Sequence, residues 1–470
     1  MEEVAVPTLA PGRFDPVIGS SRARVFAGAL ASARKELDGR TFWHVNSTAT
    51  GGGVAEILQS VLGYLRGAEI STRWLTIGGD DVFFTVTKRL HHMMHGKPGD
   101  GGELGAEERA VYEKVLDPEA ESLRRLIGPG DVVVLHDPQT LGLAKAVKEA
   151  GAGVIWTCHV GTDAPNERSR QAWAFLRPYL HGTDRQVFSR AAYPWEGLDD
   201  AEVAVIPPCI DAFSPKNQDL SEEEVSAILD ISAVIPGAGA TGAAASFVRE
   251  DGRMARVRSR AIMYELGPVP VDAPVVTEVS RWDRLKDHRG VMDGFVEYVR
   301  HTESHLILAG PAPAGVSDDP ESADVLEELV GSWRSLPDGA KRRVHIACLP
   351  MDDVEQNAAM VNALQRRADV VIQKSLAEGF GLTVAEAMWK RRAVVGSRVG
   401  GIQDQIDDGV SGRLLDDPAD LSSMGVIVGQ LLDDPESRRR MGDAARQRVV
   451  DEYLAPRFLT RYLELASSLR

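Results

Sequence analysis

Cysteine, long apolar runs and positive charge are all scarce in this sequence, and each shortage excludes a class of function. The three cysteines, Cys158, Cys209 and Cys348, stand far apart. They make neither a CxxC pair nor an even disulfide set, so reduced thiols in a cytoplasmic protein are expected. No unbroken run of about 18 apolar residues occurs, so no membrane partner is expected. The opening Met-Glu-Glu lacks the basic and apolar stretches of a secretory signal. Lys and Arg number 53 against 69 Asp and Glu, a net charge of −16. That excludes a nucleic-acid partner, whose phosphates need a basic surface. A small phosphorylated ligand needs only a local basic pocket and stays open.

What is present is a chain of 470 residues, 43% hydrophobic and 26% charged. Such a length suits two domains of about 200 residues better than one core. Short β-branched runs alternate with helical patterns. Strands are expected at Phe42 to Asn46, Val132 to Asp137, Val154 to Val160, Gln186 to Phe188 and Val203 to Ile206. A second set is expected at Val275 to Ser280, His305 to Gly310, Val344 to Leu349, Asp369 to Gln373 and Ala393 to Gly396. Continuous apolar runs suit parallel strands covered on both faces, so two doubly wound, Rossmann-like α/β domains are predicted.

The helix after the first strand has the clearest period, with Val54, Ile57, Leu58, Val61, Leu62 and Leu65 on one stripe. The stretch 218–274 differs: it has a Gly/Ala-rich run after Pro236, then a basic, weakly apolar run from Arg249 to Arg260. It reads as a connection with an inserted mobile segment. The expected organisation is a first domain over 1–213, the connection over 214–274 and a second domain over 275–450. An amphipathic helix with Tyr453, Phe458, Leu459, Tyr462, Leu463 and Leu465 closes the chain.

Two motifs carry little. Gly237-Ala-Gly-Ala-Thr-Gly242 matches G-x-G-x-x-G literally, but it lies inside the connection rather than in an opening βαβ unit, so a flexible linker competes with a dinucleotide site. His91 and His95 share a helix face, yet no Glu stands between them as in H-E-x-x-H and no third ligand is suggested, so no metal site is expected. No P-loop signature occurs.

Four segments point to chemistry. Gly51-Gly52-Gly53 sits between a strand and the periodic helix, where backbone N–H groups can meet an anion; a plain tight turn is the alternative. Arg281 and Lys286 follow the first strand of the second domain and could hold a diphosphate, or be surface charge. Glu378-Gly379-Phe380-Gly381-Leu382-Thr383-Val-Ala-Glu386 reads as a loop entering a helix, with N–H donors between two carboxylates suited to sugar hydroxyls; an ordinary cap is the alternative. His159 follows a strand at its carboxyl end, where a ligand contact and a structural role are both open.

Together these segments resemble the retaining nucleotide-sugar glycosyltransferases of the GT-B class, the E-x7-E family that includes glycogen and sucrose synthases. The glycine-rich loop, the Arg281…Lys286 pair, the Glu378 to Glu386 segment and the downstream Gly400-Gly-Ile-Gln-Asp-Gln-Ile carry the likeness. A closer similarity is to trehalose synthases. It rests on His44-Val-Asn46, Phe83-Phe-Thr-Val-Thr-Lys88, Leu135-His-Asp-Pro-Gln139, Cys158-His159 and Ile206-Pro-Pro-Cys-Ile-Asp211. The sequence departs at Thr157, where an Arg is expected, and at Gly161, where an Asp is expected.

The resemblance implies two Rossmann-like domains facing a central crevice, with the C-terminal helix 451–470 returning to the first. It implies retaining transfer of glucose from UDP-, ADP- or GDP-glucose to free glucose to form trehalose, or to another acceptor, with no required cofactor and room for a stimulatory divalent cation. A homodimer is compatible with it. Arg281 and Lys286 would hold the diphosphate, Gly52, Gly53 and Gly379 to Thr383 would add donors, Glu386 would bind the ribose and Glu378 the hexose. His159, Arg281, Lys286 and Glu378 are the catalytic candidates, and Asp137 and Gln139 are candidates for the acceptor side. Trehalose phosphorylases share much of the pattern, and a non-catalytic sugar-nucleotide-binding protein would keep the donor residues too.

Overall fold

The computed structural model describes residues 1–49, 52–237, 239, 241–313 and 321–469. Two compact units emerge: Met1–Cys209 together with the C-terminal segment from Tyr453, and Ile210–Glu452. Among the described residues no helix is long and apolar enough to cross a membrane.

The first unit holds one seven-stranded sheet. Its strands are β1 (Glu2–Val4), β2 (Phe42–Asn46), β3 (Thr72–Thr76), β4 (Val132–His136), β5 (Gly153–Cys158), β6 (Arg185–Phe188) and β7 (Val203–Val205). They lie in the order β1-β3-β2-β4-β5-β6-β7, all parallel except the edge pair of β1 with β3. Every residue of β2, β4 and β5 is buried, which is why these strands read as near-continuous apolar runs. The C-terminal helix Ala455–Ser467 belongs to this unit and packs on the helix Ser20–Glu36. It buries Phe458, Leu459, Tyr462 and Leu463, and the Tyr462 hydroxyl meets Thr157 Oγ1 at 2.8 Å.

The second unit has a hairpin of β8 (Ser246–Val248) with β9 (Met254–Arg256) and another seven-stranded sheet. The sheet contains β10 (Ile262–Tyr264), β11 (Val275–Val279), β12 (His305–Pro311), β13 (Val344–Leu349), β14 (Val370–Gln373), β15 (Ala393–Ser397) and β16 (Arg413–Leu415). The order is β10-β13-β12-β11-β14-β15-β16, parallel except for β10 on β13. Side chains of β11 alternate between two cores: Val276 joins Leu306 and Ile346 on one face, and Val275 and Val279 join Ile307 and Ala347 on the other.

The described residues of 218–274 pack into the second unit. Helix Glu222–Ile231 packs on helix Val354–Arg367, and Val225, Ile228, Phe247, Val257 and Val269 fill the second of those cores. The hairpin strands and β10 are only three residues long, and the polar and basic residues of this stretch lie mostly in the turns between them, at Arg249 to Arg253 and Arg258 to Arg260. Gly237, Gly239 and Gly242 lie between a helix and a hairpin strand, the reverse of the strand-to-helix setting that a dinucleotide loop requires. Ala238 and Ala240 of that motif lie outside the described residues.

Candidate active site

In doubly wound sheets, ligands gather at carboxyl ends of strands where the strand order reverses. In the second unit that point lies between β11 and β14, and in the first between β2 and β4. The candidate residues cluster at these two places.

In the second unit, β11 leads into Ser280, Arg281 and a short turn, Arg284–Lys286, capped by Asp283 accepting from Leu285 N–H at 2.7 Å. Asp287 then takes a left-handed conformation, φ 58°, and caps the helix His288–Tyr298 through Gly290 N–H. The loop after β14 comes alongside, its Leu376 N–H donating to Leu285 O at 2.7 Å. This brings Lys286 Nζ to 2.5 Å from Glu378 Oε2, which also accepts from Ser375 Oγ at 3.3 Å. Arg281 Nη2 is 3.8 Å from Asp283 Oδ2, and its side chain is about half exposed.

Phe380 and Gly381 are held from behind: Gln405 Nε2 donates to both carbonyls, at 2.6 and 3.2 Å, and Gly401 N–H donates to Gly379 O at 3.0 Å. Gly381 has φ 83° and ψ 64°, a conformation that favours glycine, and it opens the helix Leu382–Trp389 without a side-chain cap. Among the described residues no side chain caps this helix start, and Val384 N–H donates to Gly381 O at 3.0 Å. Thr383 Oγ1 instead donates to Gln373 Oε1 at 2.9 Å. Glu386 is buried one turn on, with Oε1 3.7 Å from Lys216 Nζ.

Sequence reasoning missed four polar groups here. Lys374 is fully buried, pairs with Asp287 and donates to Pro418 O at 2.7 Å. Glu278, inside β11, is buried with Oε2 making no hydrogen bond among the described residues. Burial, and then the Asp287 charge, push its carboxyl well above the usual range, while Lys374 and Lys286 oppose this. His288 Nε2 meets Ser280 Oγ at 3.0 Å, and burial lowers its pKa to about 3, with Lys286 adding to the effect. Lys216 was the fourth. The available signal was a charge within an apolar run, Val-Val-Thr-Glu-Val for Glu278 and Ile-Gln-Lys for Lys374.

In the first unit, Gly52 is extended and starts the helix Gly53–Gly67, again without a side-chain cap. Gly51 lies outside the described residues. From β4, Asp137 adopts a left-handed φ of 60° and its Oδ1 accepts the His159 N–H at 2.8 Å. Burial raises the Asp137 carboxyl above its ordinary value, and His159 counters this. Gln139 Oε1 makes no hydrogen bond among the described residues. His159 Nε2 is 3.3 Å from His136 Nδ1.

Both departures from the expected pattern have local causes. Thr157 points to Tyr462 of the C-terminal helix, a position with no room for an Arg head group. A Cβ on Gly161 would come 2.3 Å from Tyr193 Cγ, so the Tyr193 ring occupies the space an Asp would need. His95, considered above as a metal ligand, instead has Nδ1 at 2.8 Å from Gly161 O. Among the described residues no group of three or more His, Cys, Asp or Glu could hold a metal ion.

Residues 44–194 match the family described as trehalose synthase, N-terminal domain, and residues 354–448 match glycosyl transferases group 1. The chain is 34% identical over 449 residues to the trehalose synthase of Rubrobacter xylanophilus, covering 95% of this chain and 94% of that one. It is 32% identical over 441 residues to the trehalose synthase of Thermococcus litoralis, covering 94% and 93%. Among solved structures, one described as trehalose-6-phosphate from E. coli bound with UDP-2-fluoro glucose superposes with a TM-score of 0.66 at 12% identity, covering 92% of this chain and all (100%) of that one. That likeness shows the fold, two Rossmann-like domains of the GT-B class.

Proposed function

This chain belongs to the trehalose synthase family of glycosyltransferases, and from that premise we propose that it moves glucose, with retention, from a nucleotide-glucose to free glucose to form trehalose. The observation that carries the reading is the second unit's switch point, where Lys286 after β11 pairs with Glu378 after β14, ahead of the helix that starts without a side-chain cap and holds Glu386. Two cations and the N–H groups of a helix start suit a diphosphate, and carboxylates suit the vicinal hydroxyls of a ribose and a hexose.

On this reading Arg281 and Lys286 hold the diphosphate of UDP-, ADP- or GDP-glucose and take up its charge as the bond from glucose C1 to the phosphate oxygen breaks. A new bond forms from C1 to an acceptor hydroxyl oxygen, and the departing phosphate oxygen takes that hydroxyl's proton on the same face. Glu386 binds the ribose and Glu378 the hexose. Neither carboxylate serves as a nucleophile, since Glu378 is tied to Lys286 and Glu386 is buried near Lys216, so the paired-carboxylate route of glycosidases is not used. Asp137 and Gln139 serve the acceptor side, and His159 beside them hydrogen-bonds a hydroxyl of a substrate sugar.

The deciding experiment supplies each of the three donors with glucose and measures nucleotide release and product. Glucose-dependent release with trehalose as product is expected. Trehalose from none of the donors would remove the reading, and phosphate-dependent loss of trehalose without nucleotide would put phosphorolysis in its place.

A further inference from the structure

Three histidines come from adjacent strands of the first sheet: His44 in β2, His136 at the end of β4, and His159 just after β5. His44 Nδ1 lies 3.0 Å from His136 Nε2, and His136 Nδ1 lies 3.3 Å from His159 Nε2. The rings stack in file, with centroids 5.3 and 5.6 Å apart and interplanar angles of 21° and 13°. Each inner nitrogen faces another ring, so the three do not converge on a common point. His44 and His136 are buried. His44 Nε2 is also buried and has no hydrogen-bond partner among the described residues.

A neutral imidazole carries one N–H and one lone pair. Burial lowers the pKa of His44 to about 3 and that of His136 well below its ordinary value, so both stay neutral at pH 7. Two N···N contacts then allow only two proton orders. In one, hydrogens run inward from His159 to His136 to His44, and His44 is left with an N–H at Nε2 that nothing accepts. In the other they run outward. His44 Nδ1–H donates to His136 Nε2, His136 Nδ1–H donates to His159 Nε2, and the unpartnered atom of His44 is a lone pair. Orphaned buried N–H groups are the rarer kind, so the outward order is favoured.

We infer that His136 and His44 are positioning residues that fix His159 as the Nδ1–H tautomer, presenting an N–H to a hydroxyl oxygen of a substrate sugar. The inference rests on the reading above that His159 meets a substrate sugar. His159 Nδ1 makes no hydrogen bond among the described residues, and the ring is held at its other nitrogen by His136 and at its backbone by Asp137. No proton leaves the chain in this arrangement; it orders a donor.

Long-range 15N–1H correlation spectra of the full-length protein at pH 7, with His159 assigned by its loss in His159→Gln, read the tautomer directly. The expected result is a proton on Nδ1 in the parent and a shift towards a mixture in His136→Phe. His136→Asn, whose amide can still donate to His159 Nε2, should keep the parent pattern. With the donor that supports turnover, His136→Phe should raise KM for the nucleotide-glucose or for glucose about tenfold, as for loss of one ordinary hydrogen bond. His44→Phe, which removes the first donor of the file, serves if His136→Phe does not fold. A parent His159 protonated at Nε2, or a tautomer indifferent to His136→Phe and His44→Phe, overturns the proton order. A tautomer that shifts while KM for both the nucleotide-glucose and glucose stays fixed overturns the reading that His159 meets a sugar instead.

Discussion

Lys286 Nζ lies 2.5 Å from Glu378 Oε2, which joins the cation after β11 to the carboxylate after β14 as one unit. Both side chains are largely shielded from water, so each sets the other's position and charge environment. A diphosphate arriving at Lys286 must therefore share it with Glu378, or draw it away.

The first prediction follows from that pairing. Lys286→Ala should lower kcat/KM about 10²–10³-fold, the scale of one lost transition-state charge contact. Glu378→Gln should do so by a similar factor. The double variant should be little worse than the poorer single, with a coupling of at least about 1 kcal/mol. A double-mutant cycle measures this, and strictly additive losses would show that the two act independently.

Glu386 separates binding from turnover. It is buried in the helix Leu382–Trp389 and near Lys216, on a helix start that supplies N–H donors. Glu386→Ala should raise the Kd for the donor about tenfold by calorimetry, since hydrogen bonds to a charged group are worth about 1.5–3 kcal/mol. Arg281→Ala should act chiefly on kcat. Retention of full donor affinity by the Glu386 variant would move the ribose elsewhere.

How much of this was legible in the sequence depended on whether burial wrote itself into a local pattern. Val344–Leu349 is buried at every position and reads as an apolar run, so its strand was plain. Thr72–Thr76 mixes Thr and Arg with Trp and Leu, and Arg413–Leu415 is three residues long, so neither stood out. The stretch 218–274 has the composition of a linker because its strands are only three residues long and the turns between them, at Arg249 to Arg253 and Arg258 to Arg260, carry its charges. At the site, the glycines and carboxylates of Glu378 to Glu386 form a contiguous pattern. The Lys286–Glu378 pair does not, because it spans 92 positions and exists only through the adjacency of β11 and β14. The histidine file is equally invisible to local pattern, since its members belong to three strands.

Gly381 should be sensitive twice over. Its φ of 83° penalises any side chain, and a Cβ there would come 3.2 Å from both Glu378 Cγ and Ile402 Cγ1. Gly381→Ala should cost about 1–2 kcal/mol of stability and also weaken donor binding by displacing Glu378. Gly409→Ala is the control: it has a similar φ of 80° but nothing within 4 Å of the added carbon. It should lose comparable stability and keep donor affinity. Equal donor affinities for the two variants would show that the Gly381 loop tolerates the crowding.

Glu278 yields a pH-dependent prediction with a definite sign. The carboxyl is buried in β11, Ser280 Oγ is 3.4 Å from Oε1, and Oε2 has no hydrogen-bond partner among the described residues. Burial raises its folded pKa well above the ordinary 4.5, so between that value and the raised one the folded chain binds more protons than the unfolded chain. Stability is then fully present below about pH 4.5 and falls as pH rises through this window, by at most about 1.4 kcal/mol per pH unit for one group. Glu278→Gln keeps the shape and removes the titration. Its stability relative to the parent, from denaturant melts, should therefore increase between pH 5 and pH 8. A difference that stays constant across that range would mean that Lys286 and Lys374 keep Glu278 ionised in the folded state, against the effect of its burial.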